Sequence, residues 1–418
     1  MKRILFSPIN TNFMNARYQT FVHTLLESFE IITDQKHVKD AFNHKNLRLI
    51  EINPPIDDQV IQQNLKNEFD QIDKLILDIS THFSGENIHD IFGDHLNRSV
   101  KQSVNSYVRT DYIMQQNDID FLILSPNIED FLLPLCEKYK IKSLYLEHAP
   151  NISFNYFSTI SNFLTLTNQE NNYPDYVISD HSFSTSQWNS VFKKSKNTKT
   201  KILEFGIPLD TTAKPSQNLE KAPDTTTIGI YGTWIELKNI NSPIYNQILI
   251  GDVYIKLFDI LSDLSDLFNL NIIIKNHPAI EYNKRQTQPF FTNLAKESKL
   301  NDIKITTDLT ESIINTDIAI CLSKTSILTD LMIADVPSII FDSLNFNYKN
   351  IIPSEIQNII KVCDNFDDLK EITLKYLNYN KRKDFKKEIQ KFKFDHNISW
   401  STPKENSERI SNFLSEFT

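Results

Sequence analysis

The chain has 418 residues, too many for one ordinary domain and suited to two. Hydrophobic residues make up 40% and charged residues 23%, a globular balance, and the net charge of −9 argues against wholesale binding to nucleic acid or an anionic membrane face while leaving room for a local basic pocket. Three cysteines, Cys136, Cys321 and Cys363, lie far apart without a CxxC pair, which argues against a disulfide framework or a cysteine zinc site and makes a reducing cytoplasm the default.

The run after Lys2 and Arg3 is too short for the apolar core of a signal peptide, and no stretch approaches the ~20 apolar residues of a membrane span. The expected location is the cytoplasm, with at most peripheral contact with the inner face of its membrane. Residues 3–7 read as a first strand ending in a Ser-Pro-Ile-Asn loop. Phe21, Leu25 and Phe29, four apart, predict a helix over 15–30. Residues 58–117 are polar with helical spacing, 120–125 is a buried-strand run, and 128–139 is a helix candidate. Strands follow at 143–146 and 174–182, then a short helix at 185–194 and a closing segment at 201–210.

Residues 213–227 are polar, hold two prolines and lack an apolar period, as an interdomain linker would. A second series begins at once. Strands are predicted at 227–234, 271–274, 303–306, 318–323 and 338–342, with helices at 252–268, 287–300, 309–317 and 326–336 between them. A charged helical stretch spans 365–391, and 402–417 carries Ile410, Phe413 and Leu414 on one face. Alternating strands and helices predict α/β domains with mainly parallel sheets.

Only 6 glycines occur, so their places are informative. Gly229 and Gly232 flank the strand end IGIYGTW, where a glycine permits a close backbone approach to a ligand or simply a tight turn; Thr233 follows. No GxGxxG and no Walker A sequence is present, which weakens the common nicotinamide and P-loop readings. Lys275-Asn276-His277-Pro278 follows an apolar strand and puts a cation and an imidazole at the carboxyl edge of a parallel sheet, where open α/β folds bind ligands; the plain alternative is a histidine that caps a strand. Ser323-Lys324-Thr325-Ser326 opens a helix after a strand, a ready phosphate site of hydroxyls and free N–H groups; ordinary N-capping explains one hydroxyl and does not need three. Asp330, one turn further, is either an acceptor for a ribose or backbone amide, or a solvated surface acid.

In the N-terminal half Glu147-His148-Ala149-Pro150 ends a strand, and either Glu147 or His148 could take a proton from an acceptor hydroxyl; alternatively Glu147 is in a structural ion pair and His148 lines a loop. Ser125, Asn127, Asn10 and Asn12 also follow strands and could hydrogen-bond an acceptor sugar, although polar loop residues are ordinary. The DID at 118–120 precedes its strand and is not read as a metal-binding DxD; His82, His89 and His95 lack zincin spacing, so no metal is expected. Asp180-His181-Ser182 is contiguous, whereas a hydrolase triad is an arrangement in space, and no GxSxG accompanies it.

KNHP followed, after a further α/β stretch, by SKTS and a helix resembles the C-terminal domain of bacterial GT-B glycosyltransferases. These include sialyl- and polysialyltransferases with an HP motif and a later Ser/Thr-Ser motif, capsule Kdo transferases, and CDP-glycerol glycerophosphotransferases of teichoic acid synthesis. The segment from Pro174 to Asp210 resembles the end of their N-terminal domain, and EHAP resembles the position where several place a catalytic His, Asp or Glu. The Asp/Glu-Asp/Glu-Gly motif of the sialyltransferases is missing, and His148-Ala149 stands in place of the His-Gly of the glycerophosphotransferases, so the donor sugar stays open.

The resemblance implies two Rossmann-like domains with mainly parallel sheets facing across a cleft. The expected division is 1–212 on the acceptor side, a linker at 213–227, a donor-binding domain at 228–395, and a C-terminal helix within 396–418 available to pack back on the first domain. His277, Pro278, Ser323, Thr325 and Ser326 would meet the donor phosphates and nucleoside, joined by Gly232, Thr233, Lys275 and Asp330. The implied reaction is an inverting sugar transfer from a CMP- or CDP-linked donor to a hydroxyl of a bacterial surface glycan or lipid-linked acceptor, with no metal or other cofactor. The rivals are a nucleotide-sugar 2-epimerase of the same layout and a two-lobed sugar-binding protein without chemistry.

Overall fold

The computed structural model describes residues 1–7, 18–50, 104–124, 132–146, 173–179, 182–194, 199–208, 210, 224–232, 247–275, 284–298, 300, 303–322, 327–342, 348–352, 354–396 and 403–417. In the first half these form β1 (Arg3–Phe6), α1 (Gln19–Ser28), β2 (Glu30–Thr33), α2 (Lys36–Phe42), β3 (Leu47–Leu49), α3 (104–116), β4 (Phe121–Leu124), α4 (Leu133–Tyr139), β5 (Lys142–Tyr145), β6 (Tyr176–Ser179), α5 (Ser182–Lys194) and β7 (Lys201–Glu204). The second half contains β8 (Thr226–Gly232), α6 (Gln247–Ser265), β9 (Leu270–Lys275), α7 (Lys284–Glu297), β10 (Ile303–Thr306), α8 (Leu309–Ile314), β11 (Ile318–Leu322), α9 (Ile327–Ile333) and β12 (Ser338–Phe341). It closes with α10 (Tyr348–Ile351), α11 (Ser354–Ile359), β13 (Ile360–Cys363), α12 (Phe366–Leu377), α13 (Tyr379–Asp395) and α14 (Pro403–Glu416).

The strands build two sheets, ordered β3-β2-β1-β4-β5-β6-β7 and β10-β9-β8-β11-β12-β13, and every pairing is parallel. The sequence reason is direct. FLIL of β4, YVIS of β6, IAICL of β11 and SIIF of β12 are buried along their whole length, as strands covered on both faces must be. The first sheet separates two apolar clusters, one with Phe21, Leu25 and Ile123, the other with Leu122, Leu135 and Trp188. A single larger cluster surrounds the second sheet.

α14 completes the core of the first half. Its Ile410 and Leu414 are buried among Phe21, Leu25 and Ile123, and Phe413 and Phe417 lie against Tyr176 with ring centroids 5.1 and 5.2 Å away. Lys2 donates to the carbonyls of Leu414 and Ser415 at 3.1 and 2.9 Å, a cation on the carbonyls that a helix end leaves unsatisfied.

Several sequence expectations are corrected by short elements. β2, β3 and α2 fall where no strand or helix was expected, and β13 follows α11 with no intervening residue. The first helix starts at Gln19 and stops at Ser28, because Phe29 is already extended and leads straight into β2. The stretch 365–391 holds two helices rather than one. Asn378 adopts φ −69°, ψ 113°, which ends α12, and its side chain accepts from the Lys381 N–H to cap α13. β8 begins at Thr226, so the last two residues of the stretch read as linker belong to a strand. The helical reading of 58–117 is described only in its final part, α3; residues 58–103 lie outside the described residues.

Candidate functional site

β8 is the first strand of its sheet and lies between β9 and β11, so the chain runs outward on one side and then returns to the other. That reversal is a topological switch point, and parallel α/β sheets bind ligands beyond the carboxyl ends of the strands flanking it. The register makes the three ends level. Tyr231 pairs with Lys275, the last residue of β9, and Gly232 pairs with Leu322, the last residue of β11. Thr233, the Asn276-His277-Pro278 stretch and the Ser323–Ser326 stretch therefore leave the sheet from three neighbouring strands.

The first sheet repeats the pattern, with β1 between β2 and β4. Phe6 pairs with Ile123, and Leu124 pairs with Tyr145. The Ser7 N–H donates to Ile123 O and the Leu146 N–H to Leu124 O, both at 2.9 Å, and these contacts carry the pairing to the points where the candidate stretches depart. Asn10, Asn12, Ser125, Asn127, Glu147 and His148 lie outside the described residues, as do Thr233, His277, Pro278, Ser323, Thr325 and Ser326. Gly232, Lys275 and Asp330 are described.

Gly232 ends β8 against α6. A Cβ at this position would stand 2.3 Å from the Tyr254 hydroxyl oxygen, so the close approach permitted here is to a tyrosine of the protein itself. Gly229 faces the other side of the sheet, where a Cβ would stand 2.4 Å from Thr316 Oγ1 and 2.7 Å from Tyr231 Cε2. Packing accounts for Gly229.

Lys275 is only 3% exposed, and its register places it on the Tyr231 face of the sheet. Asp330 on α9 is 1% exposed, which removes the reading of a solvated surface acid. Its charge reaches the Tyr231 phenol and raises its pKa, although burial is the larger cause, opposed by hydrogen bonds with Thr316 and Ser312. Buried ionic groups are tolerated where they find compensating charge or hydrogen bonds, and here a buried lysine and a buried carboxylate are each tied to the Tyr231 face, one by register and one by charge.

Around them the polar groups are chained. Tyr231 Oη and Thr316 Oγ1 are 3.0 Å apart, and Thr316 Oγ1 donates to Ser312 O at 2.7 Å, so Tyr231 supplies the proton of the first bond. Asp342, just past β12, accepts from the Tyr348 N–H at 2.9 Å and thereby starts α10. Sequence reading missed Tyr231, Thr316, Asp342 and Tyr254, since nothing local in the sequence says what these side chains touch. Burial pushes Cys136 and Cys363 up to about 12 and raises Cys321 as well, so all three are neutral thiols at physiological pH. Among the described residues no helix is long and apolar enough to cross a membrane.

No protein-family model matches the chain, and no curated protein matches it in sequence. Solved structures do match in shape. The S. aureus MnaA–UDP co-structure aligns with a TM-score of 0.55 at 11% identity, over 100% of this chain and 97% of that one. Anabaena Alr3699/HepE in complex with UDP and glucose aligns with a TM-score of 0.51 at 10% identity, over 100% of both chains. A Listeria monocytogenes protein described as a UDP-N-acetylglucosamine 2-epimerase aligns with a TM-score of 0.51 at 9% identity, over 99% of this chain and 94% of that one. Two all-parallel α/β sheets, each with a switch point at its first strand, and these whole-length likenesses establish the GT-B fold.

Proposed function

We propose that the protein is a GT-B glycosyltransferase that moves a sugar from a nucleotide-activated donor, CMP- or CDP-linked, to a hydroxyl of a bacterial surface glycan or its lipid-linked precursor. One observation carries this reading. The KNHP and SKTS stretches leave from β9 and β11, level with each other on either side of the end of β8. Two polar stretches far apart in sequence thus start from one switch point, where a parallel sheet binds ligands. UDP in the MnaA and HepE structures supports a nucleotide or nucleotide sugar as the ligand class.

In this mechanism His277 and the hydroxyls and N–H groups of 323–326 offset charge on the leaving phosphate, with Lys275 beneath them, so transfer proceeds without a metal. Glu147 or His148, beyond β5 in the other sheet, takes the proton from the acceptor hydroxyl, which attacks with inversion. Asn10, Asn12, Ser125 and Asn127 hold the acceptor.

A panel of CMP, CDP, UDP, GDP and ADP in a thermal-shift measurement tests the donor, since a ligand of the native state raises its apparent stability. The largest shift is expected from a cytidine nucleotide; a larger one from UDP or GDP removes the cytidine assignment. His277→Ala should weaken nucleotide binding roughly ten- to a hundred-fold through loss of a hydrogen bond to a charged group. Replacing the base, Glu147→Ala or His148→Ala, should lower turnover about a hundred-fold or more at nearly unchanged nucleotide affinity. Turnover preserved in both variants would move the base elsewhere. The Listeria neighbour favours a second reading, a nucleotide-sugar 2-epimerase. Conversion of a nucleotide sugar with no acceptor present would select it.

A further inference from the structure

Tyr254 stands eight residues into α6 and is 1% exposed. Its hydroxyl has no hydrogen-bond partner among the described residues. Its ring is held edge-on against Phe291, centroids 4.9 Å apart, and against Phe290 at 6.4 Å, so the phenol cannot swing toward water without breaking aromatic packing. The hydroxyl rests on the backbone of Gly232, where no Cβ intervenes, at the carboxyl end of the central strand and beside the switch point.

An unsatisfied buried hydroxyl costs stability, and a phenylalanine would fill the same space without that cost. Burial also raises the phenol's pKa, so the group keeps its proton and is available as a donor. A fixed, protonated donor with no partner among the described residues, at a strand end, suits an oxygen acceptor that arrives with a ligand. Anionic oxygen is the acceptor that gains most there, because a hydrogen bond to a charged group is about twice as strong as a neutral one.

We infer that the Tyr254 hydroxyl is a binding group of the nucleotide site and donates to a phosphate oxygen of the bound nucleotide over Gly232. The inference rests on the glycosyltransferase reading above and adds a phosphate contact from α6, on the opposite face of β8 from Lys275 and Asp330.

Tyr254→Phe in the full chain tests it, because the substitution removes one oxygen and keeps the ring. Calorimetric titration with CDP, UDP and the corresponding nucleosides, together with melting of the ligand-free proteins, separates the outcomes. The expected result is nucleoside diphosphate affinity about 10- to 100-fold weaker in the variant, nucleoside affinity unchanged, and a ligand-free melting temperature equal to or above the parent's. Equal diphosphate affinity in variant and parent overturns the inference and leaves the proposed function standing. Nucleoside and diphosphate affinities lowered by the same factor assign the hydroxyl to the sugar or base and overturn the phosphate contact. A lower ligand-free melting temperature means that the hydroxyl is satisfied within the chain, and the inference fails. If the parent protein binds none of CMP, CDP, UDP, GDP and ADP, the proposed function falls first and takes this contact with it.

Discussion

The two faces of β8 each bury a tyrosine hydroxyl, and the two are treated in opposite ways. On one face Tyr231 joins Thr316 and, through it, the carbonyl of Ser312. On the other face Tyr254 ends against a glycine with no partner among the described residues. Both phenols have pKa values raised by burial, but only Tyr231 has hydrogen bonds working against that rise. Folding alone accounts for the Tyr231 face, since a buried polar group is ordinarily satisfied. The Tyr254 hydroxyl has no such partner among the described residues. The glycines separate in the same way: Gly229 makes room for a hydrogen-bonded network, and Gly232 makes room for a hydroxyl without a partner among the described residues.

The unconditional loss falls on the side of Tyr231. In Gly229→Ala the new methyl group meets Thr316 Oγ1 at 2.4 Å, Tyr231 Cε2 at 2.7 Å and Thr316 Cγ2 at 2.9 Å. Both side chains are tied into the network, so neither yields without breaking a hydrogen bond. Urea unfolding should show a loss of about 1–3 kcal/mol from overpacking, with nothing recovered when Tyr254 is also changed. Stability within about 0.5 kcal/mol of the parent would show that this network is looser than its distances imply.

The side of Tyr254 predicts a conditional effect. In Gly232→Ala the methyl group meets the Tyr254 hydroxyl at 2.3 Å, and the next contact, Tyr254 Cζ, is an ordinary 3.6 Å. Among the described residues one oxygen atom is the obstacle. Gly232→Ala should cost about 1–3 kcal/mol in the parent and under about 0.5 kcal/mol in a Tyr254→Phe background. Equal losses in both backgrounds would mean that Gly232 answers to its backbone and not to Tyr254.

This contrast also marks how far the sequence could be read. The strands that bear the candidate site, β8, β9 and β11, are long apolar runs with polar residues at their ends, and they stand out for that reason. β2, β3 and β13 do not. EIIT, LRL and IKVC are three or four residues long, and two of them follow a helix with one intervening residue or none. No Gly or Pro punctuates those joints, so their apolar residues merge with the helical period. The departure of KNHP and SKTS from the two strands that flank β8 depends on strand order, for which the sequence supplied a fold resemblance and no direct signal. The roles of Gly229 and Gly232 were not separable at all. Gly229 is decided by Thr316 and Tyr231 and Gly232 by Tyr254, and neither Thr316 nor Tyr254 is near its glycine in sequence. Tyr254 itself occupies an ordinary apolar position of an amphipathic helix, and only in three dimensions does its hydroxyl stand without a partner among the described residues.

The smallest expected effect compares the hydroxyls directly. Thr316 gives its proton to Ser312 O, so the Tyr231 hydroxyl is the donor to Thr316 Oγ1. Tyr231→Phe removes that donor and leaves Thr316 with its bond to Ser312 intact and one lone pair unanswered. The ring stays, and the space left by one oxygen is too small for water among Thr316, Ser312 and Asp330. The loss should be about 0.5–1.5 kcal/mol, the net worth of one buried neutral hydrogen bond. Urea unfolding of Tyr231→Phe and Tyr254→Phe side by side, without ligand, gives the sign of each. The first should be less stable than the parent and the second no less stable. If the two variants lose the same stability, the Tyr254 hydroxyl is as well satisfied as that of Tyr231, and the distinction between the faces of β8 disappears.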